Sequence, residues 1–332
     1  MAVLVTGGAG YIGSHTCVSL IESGYDVVVV DNLCNSDYKM VEAVVELTGK
    51  SVGFYEVNIC DEKSLASVFE EQISQGLPID SVIHFAALKS VGESVEKPEL
   101  YHSNNVGGTK VLIDVMKKFG VEKLVFSSSC TVYGQPEVMP VDENAPLLPP
   151  ESPYGETKQK CEELISNSGI NASLLRYFNP IGAHPSAKIG ELPLDVPNNL
   201  VPYLCQTVAG LRKELVVFGD DYPTEDGSCI RDYLHVCDLA EAHVASLQNH
   251  SNGVRVYNLG TGSGASVLEI ISSFESATGK KVPFSIGSRR EGDIVAIWAD
   301  PTRALNELKW SAKRTVEEAL RDSWRWQQKL SS

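Results

Sequence analysis

Where the apolar positions fall, the first half of the chain alternates between two periods. Val3–Thr6, Tyr25–Val30, Ser51–Val57, Ser81–Ala87 and Lys123–Ser127 are short runs rich in valine, isoleucine and phenylalanine, the make-up of buried strands. Between them, Ser14–Ser23, Tyr38–Leu47, Ser64–Gln75 and Gly107–Phe119 carry apolar residues every three or four positions and predict amphipathic helices. Tyr154–Ser168 and Ala172–Arg176 continue the pattern as helix and strand. Strands separated by helices are joined by crossovers, so the pattern predicts a doubly wound parallel sheet covered on both faces, an α/β fold.

The pattern then changes. Gln135–Pro153 holds six prolines and cannot be a regular element, so it reads as a long ordered loop. From Asn179 the alternation weakens, and prolines, asparagines and aromatics cluster through Tyr222. That composition predicts a smaller C-terminal α/β lobe laid over the sheet. His235–Ser246 reads as a helix and Val256–Leu259 as a strand that rejoins the main sheet. Residues 1–178 with 234–262 are thus expected to form the larger domain, and 179–233 with 263–332 the lobe.

A chain of 332 residues with 43% hydrophobic content has room for one large core and a smaller one. It has no apolar run of 18 residues, so no membrane span is expected. Met1-Ala2-Val3 leads straight into a strand without a cationic leader, which suggests a cytoplasmic protein. A formal charge of −15 argues against nucleic-acid partners and repels anions at long range. Any phosphate site must therefore be built locally from arginines and helix ends, within a screening length of about 8 Å. The cysteines (17, 34, 60, 130, 161, 205, 229 and 237) show no paired spacing and read as reduced thiols. His235 and His243 sit eight residues apart with no companion ligands, so no metal is expected.

The chemistry begins at Gly7-x-x-Gly10-x-x-Gly13, which follows a strand and opens a helix. The first glycine permits a tight turn, the second lets a pyrophosphate approach backbone N–H groups, and the third lets helix and strand pack closely. A glycine triplet alone is as often a plain turn. Here Asp31 ends the next strand, 18 residues after Gly13, where a carboxylate can accept bonds from the adenosine ribose hydroxyls. That choice favours NAD over NADP, whose 2′-phosphate would meet a negative charge. A Rossmann-type dinucleotide domain follows.

Tyr154 and Lys158 stand four apart and share a helix face. Free tyrosine, with a pKa of about 10, is about one part in a thousand phenolate at pH 7. A neighbouring ammonium and an oxidised nicotinamide both favour the phenolate, and a shift of about three units is worth roughly 4 kcal/mol. By itself such a pair usually marks an exposed helix face; after the glycine turn it becomes a candidate base. Ser127–Ser129 follow a strand, and hydroxyls at the carboxyl end of a parallel strand point into the ligand crevice. The alternative, a turn whose serines satisfy local backbone groups, is the weaker reading because the Tyr154 helix follows.

Taken together, Thr6–His15 (TGGAGYIGSH), His84–Ser94 (HFAALKSVGES), Ser127–Gly134 (SSSCTVYG), Ser152–Gly155, Arg176–His184 (RYFNPIGAH), Phe218–Gly227 (FGDDYPTEDG), Arg231–Val236 (RDYLHV) and Arg289–Asp293 (RREGD) closely resemble the UDP-glucose 4-epimerases (UDP-galactose 4-epimerases) of the extended short-chain dehydrogenase/reductase superfamily. The resemblance spans nearly the whole chain. It implies reversible interconversion of UDP-galactose and UDP-glucose in galactose metabolism, by transient oxidation at sugar C4 with tightly held NAD. It places the cofactor against Gly7, Gly10, Tyr11, Ile12, Gly13, Asp31, Asn32, Leu33, Cys34, Asn35, Ser36, Asn58, Ile59, Phe85, Ala86, Ala87, Lys89, Asn104, Ser129, Tyr154, Lys158 and Phe178. It makes Tyr154 the base, with Lys158 beside it and Ser129 on the 4-oxygen. It assigns the uridine diphosphate to Asn179, Asn199, Leu200, Phe218, Arg231, Arg290 and Asp293, where a guanidinium fork suits phosphate oxygens. A homodimer pairing the helices near Gly107–Phe119 and Tyr154–Ser168 is likewise implied.

The chain departs from the family pattern at four positions. Asn58 stands where an aspartate is usual, Ala87 where glycine is frequent, and Cys130 where alanine is usual. Ile297 falls at the position that resembles the family's substrate gate, where tyrosine excludes N-acetylhexosamines and smaller residues admit them. Some activity on UDP-N-acetylglucosamine is therefore expected. A nucleotide-sugar 4,6-dehydratase would carry an Asp-Glu pair where Cys130 and Thr131 stand, and a silent NAD-binding regulator would lack Tyr154 or Lys158. An epimerase acting on a uronic-acid sugar would need a compensating group near C6, which the sequence does not locate.

Overall fold

The computed structural model describes residues 1–290 and 292–331; Glu291, within the Arg289–Asp293 motif, lies outside them. Seven strands form the central sheet: β1 (Ala2–Thr6), β2 (Asp26–Asp31), β3 (Gly53–Glu56), β4 (Ile79–His84), β5 (Lys123–Ser127), β6 (Asn171–Tyr177) and β7 (Val254–Leu259). Their order is β7-β6-β5-β4-β1-β2-β3, with every neighbouring pair parallel. The strand order reverses at β1 and β4, which puts the topological switch point beside the glycine turn.

Successive strand residues feed opposite cores because side chains alternate along a strand. Val3, Val5, Val27 and Val29 pack with helices Tyr11–Glu22, Lys39–Thr48 and Val236–Gln248 on one face. Leu4, Val28 and Val30 pack with helices Glu62–Ser74, Gly108–Lys118 and Pro153–Ser166 on the other. Both faces are covered, which explains why these strands read as continuous apolar runs. The Rossmann-type architecture expected from the sequence is therefore present.

Beyond the sheet lies a smaller core built from helices Leu200–Val208, Val267–Thr278 and Val316–Leu330 and the parallel strands Leu215–Phe218 and Phe284–Gly287. Ile230–Arg231 pairs with Ala265–Ser266 on one side and Ala296–Ile297 on the other. Asn179–Ile181 lies parallel to Tyr233–His235. Two details differ from the sequence reading. His235 ends a strand and caps the helix that begins at Val236, its Nδ1 accepting from Cys237 N at 3.0 Å. Helix Gly108–Lys118 is preceded by a π-helical stretch, His102–Gly107, of the kind often found at functional sites.

Candidate active site

The glycine turn is tighter than any side chain would allow. Gly7 adopts φ +72°, and a Cβ there would lie 2.7 Å from the Ala86 nitrogen. A Cβ on Gly13 would lie 2.2 Å from the Gly7 carbonyl oxygen. The next helix starts at Tyr11 with no side-chain cap and no acidic residue in its first turn. Its leading N–H groups thus face outward, as a pyrophosphate requires. Asp31 accepts from Ala9 N (3.0 Å), Leu33 N (3.0 Å) and Ser36 Oγ (2.8 Å), which locks the glycine turn to the loop after β2. A carboxylate has about four acceptor sites, so capacity remains for a ribose hydroxyl. These residues fit a dinucleotide.

Of the other expected cofactor residues, Phe85 and Ala86 lie directly against this turn. Phe85 N and Ala86 N both donate to the Thr6 carbonyl, at 2.9 and 3.1 Å, and Ala87 follows them. Asn32 Oδ1 accepts from Cys34 N, with Asn35 next in the same loop. Ile59 packs so closely on Gly108 that a Cβ there would lie 2.6 Å from it. Asn58 Oδ1 accepts from Cys60 N at 2.9 Å, while the Cys60 thiol reaches the Asn104 carbonyl at 3.7 Å. The Tyr11 hydroxyl donates to the Gly182 carbonyl at 2.6 Å.

The helix carrying Tyr154 starts where it does because Pro153 sits at its first position and Ser152 Oγ accepts from Gly155 N at 3.1 Å. One turn on, Lys158 is buried and donates to the Ser127 carbonyl at 2.7 Å. Its ammonium lies 5.8 Å from the Tyr154 ring and 4.9 Å from that of Phe126. Ser129 Oγ accepts from Thr131 N (3.2 Å) and Thr131 Oγ1 (3.0 Å), leaving its own proton to donate. Burial carries the Tyr154 phenol well above its ordinary pKa, and the nearby Ser129 hydroxyl offsets only part of that rise. Burial also pushes Lys158 down to about 8, with Glu162 pulling the other way.

The buried site by itself therefore raises the Tyr154 pKa; the lowering read from the sequence counted the oxidised nicotinamide as well as the ammonium. Proton counting resolves the difference. Once the pair has lost one proton, one remains for two groups. Phenol with amine and phenolate with ammonium carry the same net charge, so a positive charge in the crevice can select the second.

Phe178, Cys130 and Ile297 share a small apolar cluster with Tyr133 and Ala299. Ile297 pairs with Arg231 across parallel strands. Arg290 grips Asp293 with Nε at 3.1 Å and Nη2 at 2.8 Å, lies 5.6 Å above the Phe218 ring, and shares Asp293 with Arg231 at 3.7 Å. Asn179 N donates to the carbonyl of Asp232, the residue after Arg231. Asn199 and Leu200 form a separate group: Asn199 Nδ2 donates to Glu191 at 2.6 Å, and Lys89 reaches the same oxygen at 3.3 Å. Glu191, which the sequence reading missed, thus joins Lys89, expected at the cofactor, to Asn199, expected at the substrate. Asn105 was missed too. Its amide bonds both backbone groups of Leu88 and Thr157 Oγ1, tying the loop after β4 to the Tyr154 helix. A surface recess of about 520 Å³ beside Asp226, Glu269 and Glu317 is lined by none of these groups.

A dinucleotide cradle at the switch point, with a Tyr–Lys–Ser constellation beside it and clustered arginines in the smaller lobe, defines an enzyme of the short-chain dehydrogenase type acting on a phosphorylated substrate. The chain matches the NAD dependent epimerase/dehydratase family over residues 3–260. UDP-glucose 4-epimerase of Bacillus subtilis is 52% identical over 334 residues, covering 98% of this chain and 97% of that protein. UDP-glucose 4-epimerase of Stenotrophomonas maltophila, solved with bound NAD and formylated UDP-arabinopyranose, has a TM-score of 0.96 at 49% identity over 100% of this chain and 99% of that one. The Bifidobacterium longum enzyme, solved with NAD+ and UDP, has a TM-score of 0.94 at 47% identity over 99% and 98%. The chain belongs to the NAD dependent epimerase/dehydratase family and, within it, to the UDP-glucose 4-epimerases.

Proposed function

We propose that the protein interconverts UDP-galactose and UDP-glucose by transient oxidation at sugar C4. The observation that carries this reading is Tyr154, Lys158 and Ser129 meeting at the carboxyl end of β5, beside the glycine cradle. Gly7, Gly10, Gly13 and Asp31 would hold NAD, which when bound would supply the hydride acceptor and donor for sugar C4. Tyr154 takes the 4-hydroxyl proton and gives it back, and Ser129 holds the 4-oxygen. Lys158 keeps the proton count of the pair right for this. Arg231 and Arg290 hold the diphosphate, with Asn179, Asn199, Leu200, Phe218 and Asp293 completing the uridine site. Concentrating affinity on the nucleotide leaves the hexose free to turn over.

The fates of Cys130 and Thr131 speak against a dehydratase. Burial pushes the Cys130 thiol up to about 12, and the Thr131 hydroxyl is spent on Ser129. Neither supplies an acid and a base for eliminating water. The experiment that tests the reading uses UDP-galactose deuterated at C4: the label stays at C4 of the UDP-glucose formed, whereas washout into solvent would contradict hydride return. The proton count makes a second prediction. With the once-deprotonated pair as the competent form, kcat rises with pH through an apparent pKa at or below about 8, measured at saturating UDP-galactose. A kcat that falls across that range would overturn the assignment.

Ile297 sits in the cluster beside Cys130 and Phe178, at the position read as a gate. Some turnover of UDP-N-acetylglucosamine is therefore expected, and none at high concentration would refute it. We read residues 179–233 with 263–332 as the UDP-sugar lobe, and the enzyme as a cytoplasmic homodimer serving galactose metabolism. The exposed Val91, Val95 and Leu100, on short helices packed near the Tyr154 helix, support a subunit interface there. No helix among the described residues is long and apolar enough to cross a membrane.

A further inference from the structure

Three consecutive serines leave β5 and meet three successive turns of helix Pro153–Ser166. Ser129 lies near enough to act on the Tyr154 phenol, the Ser127 carbonyl accepts from Lys158 at 2.7 Å, and Ser128 Oγ donates to Glu162 Oε1 at 2.5 Å. Tyr154, Lys158 and Glu162 are spaced four and four, so they form one stripe along the helix. Glu162 is 4% exposed and Arg176 5%. Arg176 grips the carboxylate with Nε at 2.9 Å and Nη2 at 2.6 Å. A carboxylate this deep needs such a partner, because burial disfavours an unpaired charge.

The chain of contacts continues across the site. The Arg176 guanidinium lies 4.8 Å over the Tyr133 ring. The Tyr133 hydroxyl donates to Asn258 Oδ1 at 2.7 Å, and Asn258 Nδ2 donates to the Val141 carbonyl at 2.8 Å. Val141 N donates to the carbonyl of Trp298, the neighbour of Ile297, at 2.9 Å. Buried polar groups thus run unbroken from the Tyr154 helix to the strand at the gate position, with Glu162 at their head.

We propose that Glu162, with Arg176 as its counter-charge, is a positioning residue for epimerisation: it fixes Ser128 and thereby sets Ser129 against Tyr154. The proposal rests on the roles given above to Tyr154, Lys158 and Ser129. Glu162 acts through those neighbours and not on the sugar. Its charge favours the doubly protonated pair and offsets part of the burial effect at Lys158.

A purely structural ion pair can often be exchanged for two apolar side chains without loss of stability, so the test uses E162Q and the double variant E162M/R176M beside the unmodified enzyme. E162Q is expected to lose about 10- to 100-fold in kcat, since a misplacement of about 1 Å costs on the order of 100-fold. KM for UDP-galactose should stay within about threefold, because the uridine site is built elsewhere. The acid limb of its kcat profile should move to lower pH, since the anion favouring the second proton is gone. The double variant should fold and retain NAD, yet remain about tenfold or more below the unmodified kcat. Native kcat in the double variant, or unchanged kcat and pH limb in E162Q, would overturn the proposal. Should E162Q not fold, the double variant decides. Failure of the underlying reading shows separately, as no conversion by the unmodified enzyme, and sinks both.

Discussion

Y154F is expected to lower kcat for UDP-galactose by about 1,000-fold, within the range of roughly 10² to 10⁴ for general acid–base catalysis. Phenylalanine fills the same space, so neither packing nor cofactor retention should change. Tyr154 is buried, and its phenol meets Ser129 on one side and the Lys158 ammonium, 5.8 Å from the ring, on the other. No second phenol can substitute directly: the Tyr177 hydroxyl is engaged with Ser127 at 2.7 Å, and burial pushes it up to about 12. The loss should therefore appear in kcat with KM little moved, as for an interaction made in the transition state. Rates at saturating UDP-galactose check this, and a kcat within threefold of the native value would remove Tyr154 from the mechanism.

G13A should act on the fold and the cofactor together. Its Cβ would fall 2.2 Å from the Gly7 carbonyl oxygen and 2.8 Å from the Gly8 Cα, both backbone atoms that cannot swing aside. Either the helix Tyr11–Glu22 must retreat from β1 or the turn must open, and each destroys the close approach a pyrophosphate needs. We expect a loss of about 3 kcal/mol in stability, at the upper end of overpacking costs. Thermal denaturation and the NAD content of the purified protein are the readouts. Native melting with full NAD would show that the turn is looser than described.

How much of this was legible in the sequence follows from what fixes each element. Strands β1, β2, β4, β5 and β6 were readable because both their faces are covered, which leaves largely apolar runs. Tyr154, Lys158 and Gly7–Gly13 were readable because their spacing is local. The helices Val267–Thr278 and Val316–Leu330 went unread, although each carries a capping box written plainly in the sequence, Ser266 with Glu269 and Thr315 with Glu318. Short helices such as Val91–Glu96 lack the length for a periodic signal.

The partners of the site residues were harder. Glu162 lies four residues beyond Lys158 and could have been placed on the same face, but its pairing with Arg176 and Ser128 depends on how β5 and β6 meet the helix. Glu191 meets Lys89 across 102 residues, a distance over which no sequence period operates. The burial that raises Tyr154 in the chain alone was out of reach for a related reason. Charge proximity can be inferred from spacing, whereas burial is a property of the folded molecule.

The most direct test is to mix the desalted protein with UDP-galactose, without added NAD, and follow UDP-glucose by proton NMR. Conversion to a fixed product ratio, reached also from UDP-glucose, is the result predicted for a 4-epimerase that carries its cofactor. No conversion from either sugar, even after NAD is supplied, would contradict the account at its centre.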